Sequence, residues 1–242
     1  MKQYEAVIQT LEKLGGQATL GELYREVMKV EDCTWGTKTP FASIRRIVQT
    51  RPEIFKVRPG LWALRDYQAK LDLVEEGKAP ELTRVAIEQG HSYYQGLLVE
   101  IGNLRGLGTF IPQQDKNRRF VQRRLGEIRS LQELPAFSYP TFVQRSATVD
   151  VIWFNSRRMP HSWFEVEHST DMNNSLLKFY DLQDFSARMV IVADSRRRQE
   201  FEQRRSQNAL RDIRDRISFL DYDTLAKEYE HEVEKQAFGF AL

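Results

Sequence analysis

The sequence predicts an α/β protein, with a mixed-sheet domain over residues 81–242, a small helical domain over 1–66 and a polar linker at 67–80. Three observations carry this. The first 66 residues hold apolar stripes at helical spacing, then two short apolar runs around Pro59-Gly60. Beyond residue 81, short apolar strands alternate with helical patterns, as in layered α/β sheets. Two of those strands contain acids: Asp150 in TVDVIWF, and Glu165 and Glu167 in WFEVEHST.

In order, Tyr4, Val7, Ile8, Leu11 and Leu14 form a first helical stripe that Gly15-Gly16 ends. Thr19 caps a second helix bearing Leu20, Leu23, Val27 and Met28. Pro40 opens a third, with Phe41, Ile44, Ile47 and Val48 inward. IFKVRPGLWAL reads as two strands joined at Pro59-Gly60. Three helices and a terminal hairpin make a winged helix-turn-helix. In the second domain a helix runs through Leu97, Leu98 and Ile101, with Gly90 and Gly96 as possible bends, and GTFIP (108–112) reads as a strand. FVQRRLGEIRSLQELP (120–135) is basic and mixed, and the two acid-bearing strands follow. A helix starts near Asn173, MVIVAD (189–194) is a buried strand leading into a basic helix, ISFLDY opens the last strand and DTLAKEYEHEVEKQ closes the chain as a helix. In open sheets of this kind ligands gather at strand ends.

Composition narrows the class. The chain has 242 residues and one cysteine, Cys33, which excludes a disulfide framework and a cysteine-based zinc site. His91, His161, His168 and His231 show no HExxH or HxH spacing. No run reaches transmembrane length and the amino terminus is amphipathic, so the expectation is a soluble cytoplasmic protein without membrane contact. The net charge of +2 is uneven: residues 91–219 hold 20 basic and 15 acidic groups (+5), and 220–242 hold 2 and 6 (−4). Arginines cluster at Arg118, Arg119, Arg123 and Arg124, and again at Arg196, Arg197, Arg198, Arg204 and Arg205. Their planar forks suit phosphate. The competing account is solvated helix faces with partners such as Glu200 and Glu202.

Acids inside apolar strands are costly to bury without compensation. Alternation puts Glu165 and Glu167 on one face with Val166 pointing away, and if the strands pair, Asp150 joins them. Three carboxylates on one face suit a hard cation, Mg²⁺ or Mn²⁺.

This pattern resembles the PD-(D/E)XK nuclease superfamily, which includes many restriction enzymes. Asp150 matches its first acid and Glu165 its second; Glu167 stands where the family usually has Lys, and Val149 where it has Pro. VDVIWF and FEVEHST also resemble the signature of a bacterial group. The resemblance implies double-stranded DNA as substrate, Mg²⁺ (Mn²⁺ possible) held by Asp150, Glu165 and the Val166 carbonyl, and Glu167 orienting or deprotonating water or holding a second metal. It offers two more residues: Glu100, because an acid from the first long helix often touches the metal, and Lys178, because some members draw the catalytic Lys from the helix after the second motif strand. The alternative for each is a solvated helical residue. His91 and Gln95 can share the face of Glu100, and His168 should point away from the carboxylates.

Residues 1–66 are similar to HARE-type helix-turn-helix domains in LGGQATLGELYREV, GTKTP and FKVRPGLWAL. That layout implies a third helix in the major groove, presenting Lys38, Thr39, Ser43, Arg45, Arg46 and Gln49, with Lys56 and Arg58 on phosphates. Arg118, Arg119 and Arg123 would hold the backbone. The implied function is a type II restriction endonuclease acting as a homodimer. Two alternatives stand beside it: a DNA-binding regulator with an inactive nuclease fold, and a nuclease subunit that docks through the acidic EYEHEVEKQ helix.

Overall fold

The computed structural model describes residues 1–36, 39–67, 80–168 and 171–237, with the backbone alone over 80–89. The expected linker therefore lies almost wholly outside the described residues, as does Lys38. The chain divides into two compact units, Met1–Ala86 with Ala226–Leu242, and Ile87–Leu225.

The first unit holds α1 (Gln3–Lys13), β1 (Gln17–Thr19), α2 (Leu20–Val27), α3 (Pro40–Thr50), β2 (Ile54–Arg58) and β3 (Leu61–Leu64). The strands form an antiparallel sheet of order β1-β3-β2. Thr19 caps α2 as expected: its hydroxyl accepts the Glu22 N–H at 3.1 Å, and Glu22 accepts the Thr19 N–H at 2.8 Å. Phe41, Ile44 and Val48 are buried, while Ile47 is only half-buried. Strand β1 was not anticipated. The turn that ends α1 puts Gly16 at φ +90°, against the Tyr67 ring, and sends the chain straight into pairing with β3.

The second unit starts within α4 (Pro80–Leu104), a continuous helix through Gly90 and Gly96. It continues with β4 (Gly108–Phe110), β5 (Arg119–Phe120), β6 (Arg123–Arg124), α5 (Leu125–Ile128) and α6 (Pro140–Ser146). Then come β7 (Val151–Phe154), β8 (Pro160–Glu167), α7 (Met172–Asp181), β9 (Arg188–Ala193), α8 (Arg198–Arg205), β10 (Ile217–Asp221) and the start of α9 (Tyr222–Ala237). Five strands form one mixed sheet of order β10-β9-β8-β7-β4. β8 is central, antiparallel to β7 and parallel to β9. Parallel pairing buries strands on both faces, which is why β9 is apolar and buried throughout after its exposed first residue, Arg188. Ile152, Trp163, Met172, Leu176, Phe179, Met189 and Ile191 share one core. The mixed 120–135 segment resolves into the small β5–β6 hairpin and α5, too short and too charged for either period to show.

Candidate active site

The two acid-bearing strands do pair, Val151 opposite Phe164, which brings Asp150 to the carboxyl end of β8. Val166 N–H donates to Asp150 Oδ2 at 2.8 Å. Glu165 and Glu167 lie on one face of β8, where the Ser175 hydroxyl, with one proton to share between them, lies 2.9 Å from Glu165 Oε2 and in short contact with Glu167 Oε1. Asp171 caps α7 immediately after the strand, and that helix turns Ser175 and Lys178, three residues apart, toward the same acids. Lys178 Nζ donates to Glu165 Oε1 and Oε2 at 2.9 and 2.8 Å and to the Thr148 carbonyl at 2.8 Å. Asp150, Glu165, Glu167, Ser175 and Lys178 line a cavity of about 430 Å³ together with His91 and Arg145.

Electrostatics in this cavity are strongly perturbed. Burial first, then the Asp150 charge, push the Glu165 carboxyl up to about 8 against the opposing pull of Lys178 and Ser175. Burial also pushes Asp150 up, but His91, the Val166 N–H and Lys178 outweigh it, so Asp150 sits below the usual carboxylate range. Burial lowers His91, yet Asp150 outweighs that and leaves the imidazole above its ordinary value. The site thus holds one readily ionised acid beside one whose proton is harder to remove, a separation that recurs at catalytic centres.

The expected convergence of three carboxylates takes a different form. Among the described residues, the group of three metal-ligating side chains whose ligand atoms all lie within 4.8 Å of one another is His91, Asp115 and Asp150. Asp150, Glu165 and Glu167 are not so close as a trio. Asp150 precedes β7 and turns onto the Val166 N–H, whereas Glu167 lies two residues further along β8 with Arg197 3.8 Å away.

Glu100 is buried on α4 and pairs with Arg123 at 2.6 Å, so two expected site residues neutralise each other. It does not line the cavity. Five residues beyond Gln95, it is rotated off the face that His91 and Gln95 turn to Asp150. His168 turns to Tyr222, Nδ1 to Oη 3.2 Å. Of the basic runs, Arg118 pairs with Asp115, Arg196 with Asp194, Arg197 with Glu200 and Arg205 with Glu202, while Arg119 is exposed.

In the first unit, Thr39, Arg46, Gln49 and Lys56 are exposed and Ser43 and Arg58 half-buried. Arg45 is engaged by Glu234 at 2.5 Å and Glu230 at 3.8 Å, both on α9. Sequence reasoning missed Asp115 and Ser175. Ser175 had a faint signal, a small polar residue on the inward stripe three before Lys178; Asp115 had none, since it reaches the cluster from a single 3-10 turn, Gln113–Asp115, too short to carry a period.

The fold and its acid-and-lysine cavity place the protein among α/β sheet proteins with an anionic site at a strand end. The chain belongs to the family of the C-terminal domain of the type II restriction enzyme NmeDI, whose profile matches residues 73–240, well over half of the sequence. The type II restriction enzyme NmeDI of Neisseria meningitidis serogroup C is 26% identical over 119 residues, covering 45% of this chain and 34% of the relative. The match thus spans about a third of that relative's length. No solved structure matches. No helix among the described residues is long and apolar enough to cross a membrane.

Proposed function

We propose that this protein is a Mg²⁺-dependent endonuclease of the type II restriction kind that hydrolyses phosphodiester bonds in double-stranded DNA. The observation that carries this reading is the meeting of Asp150, Glu165 and Lys178 at one cavity in a member of a restriction-enzyme family. A divalent ion fits the donors: burial, and then the neighbouring Asp150 charge, raise Glu165 to about 8, and a shared cation would relieve both. Asp150, Glu165 and the Val166 carbonyl would hold Mg²⁺, with Mn²⁺ as a substitute. When bound, such an ion polarises the phosphate and acidifies a water.

The protein's own groups do the rest. Lys178, anchored by Glu165 and the Thr148 carbonyl, supplies the cation that the strand position has exchanged for Glu167, and stabilises charge developing on the phosphate. Glu167, held by Ser175, accepts a proton from the attacking water. Arg119 and the exposed side chains of α3 and the β2–β3 hairpin contact the DNA backbone and bases. Two copies related by a two-fold axis would cut the two strands.

One observation favours a second reading, a DNA-binding regulator with an inactive nuclease fold: Lys178 already occupies both Glu165 oxygens. Plasmid and methylated DNA incubated with Mg²⁺ or Mn²⁺ decide between them. Cleavage by the wild type, lost in Asp150→Ala and Lys178→Met, supports the enzyme. Binding without cleavage on every substrate supports the regulator.

A further inference from the structure

We propose that His91, Asp115 and Asp150 form a second divalent-cation site, of mixed nitrogen and oxygen donors, beside the Glu165–Lys178 pair. Their ligand atoms lie within 4.8 Å of one another. Ligands about 2.0–2.2 Å from one ion sit at most about 4.4 Å apart, so a small inward shift closes the site. The three side chains come from separate places: α4 supplies His91, the short 3-10 helix Gln113–Asp115 after β4 supplies Asp115, and the entry to β7 supplies Asp150.

Both carboxylate ligands keep free capacity. Asp150 uses Oδ2 for the Val166 N–H and turns Oδ1 toward His91 Nε2 at 3.5 Å, too long for a good hydrogen bond. Asp115, itself 3% exposed, takes Arg118 Nε on Oδ1 and Gln95 Nε2 on Oδ2, leaving further lone pairs on each oxygen.

Gln95 is an independent pointer to a ligand. It is fully buried, one turn along α4 from His91, with its carboxamide against the cluster. Nε2 donates to Asp115 Oδ2 at 3.0 Å and to the Asp150 carbonyl at 3.2 Å, while Oε1 has no partner. A buried amide oxygen without a donor is costly. A hydrated cation among His91, Asp115 and Asp150 would supply one. Imidazole with two carboxylates selects Mn²⁺, Fe²⁺ or Zn²⁺ over Mg²⁺.

The site does not depend on phosphodiester cleavage, although it shares Asp150 with the proposed catalytic pair. Mn²⁺ titrated into the untagged, DNA-free protein and read by pulsed EPR tests it. The expected result is ¹⁴N coupling from a bound imidazole, retained in Glu165→Gln, abolished in His91→Ala, with Mn²⁺ affinity about 10–100-fold weaker in Gln95→Leu. Absence of nitrogen coupling in the wild type, or its persistence in His91→Ala, overturns the proposal. The wild-type measurement is decisive even if a variant fails to fold. Nitrogen coupling without plasmid cleavage would defeat the nuclease reading alone; cleavage without nitrogen coupling would defeat this one alone.

Discussion

Glu165→Gln isolates the electrostatics of the cavity. Glu165 is 2% exposed, and its carboxyl is moved from 4.5 up to about 8. At about 1.4 kcal/mol per pKa unit, charging it inside the fold costs on the order of 5 kcal/mol. The sign follows from linkage: a carboxyl raised in the folded state stabilises the protein fully below its ordinary pKa, and that stability drains away as pH climbs to about 8. Glutamine fixes the protonated shape at every pH. Between pH 5.5 and 8.5 the wild type should therefore lose about 3 kcal/mol relative to Glu165→Gln, or about 6–12 °C in Tm for a chain of this size. His91, raised in the fold, also sheds stability above its ordinary 6.5, but in both proteins, so the difference isolates Glu165. Asp150, lowered in the fold, loses its contribution only as pH falls below 3.8, outside this range. Thermal melts of both proteins across the range, with and without Mg²⁺, are the assay. Mg²⁺ should raise the wild-type Tm and leave Glu165→Gln nearly unchanged. A Tm difference flat with pH would show that Glu165 ionises freely, and the account of the cavity would fail.

Three further outcomes follow from the same contacts. Lys178→Met should cut single-turnover plasmid cleavage by about 10²–10⁴-fold and move the alkaline shift of the pH–rate profile higher, since Glu165 loses its counter-charge; an unchanged profile would assign Lys178 a surface role. Ser175→Ala removes the donor shared by Glu165 and Glu167 and should cost about 1–3 kcal/mol in urea unfolding, with no loss rejecting that bridge. Gly96→Ala would push a methyl group into the buried Phe120 ring and should destabilise by about 1–3 kcal/mol, measured the same way; a neutral result would mean the α4–Phe120 packing is looser than described.

Much of this architecture is local and so could be read in order along the chain. The capping pair of Thr19 and Glu22, Pro40 at the start of α3 and the apolar run of β9 after Arg188 are settled by residues within a turn or a strand of one another. Alternation alone put Glu165 and Glu167 on one face, and the Lys178 position on the following helix was visible as a candidate. Strand β1 escaped because three residues are too few to carry a period, and their partner β3 lies more than forty positions away.

Sequence by itself determined which residue types face inward, where helices begin, and that buried acids on β8 need a counter-charge, because burial, capping and desolvation act on each residue with its neighbours. Only the tertiary structure decided which counter-charge each acid receives. Asp150 turned to the Val166 N–H and His91, Glu165 took Lys178, Glu100 took Arg123 and Arg45 took Glu234. Pairing energies at 3 Å depend on distances between residues far apart in the chain, and spacing along the chain does not encode those distances.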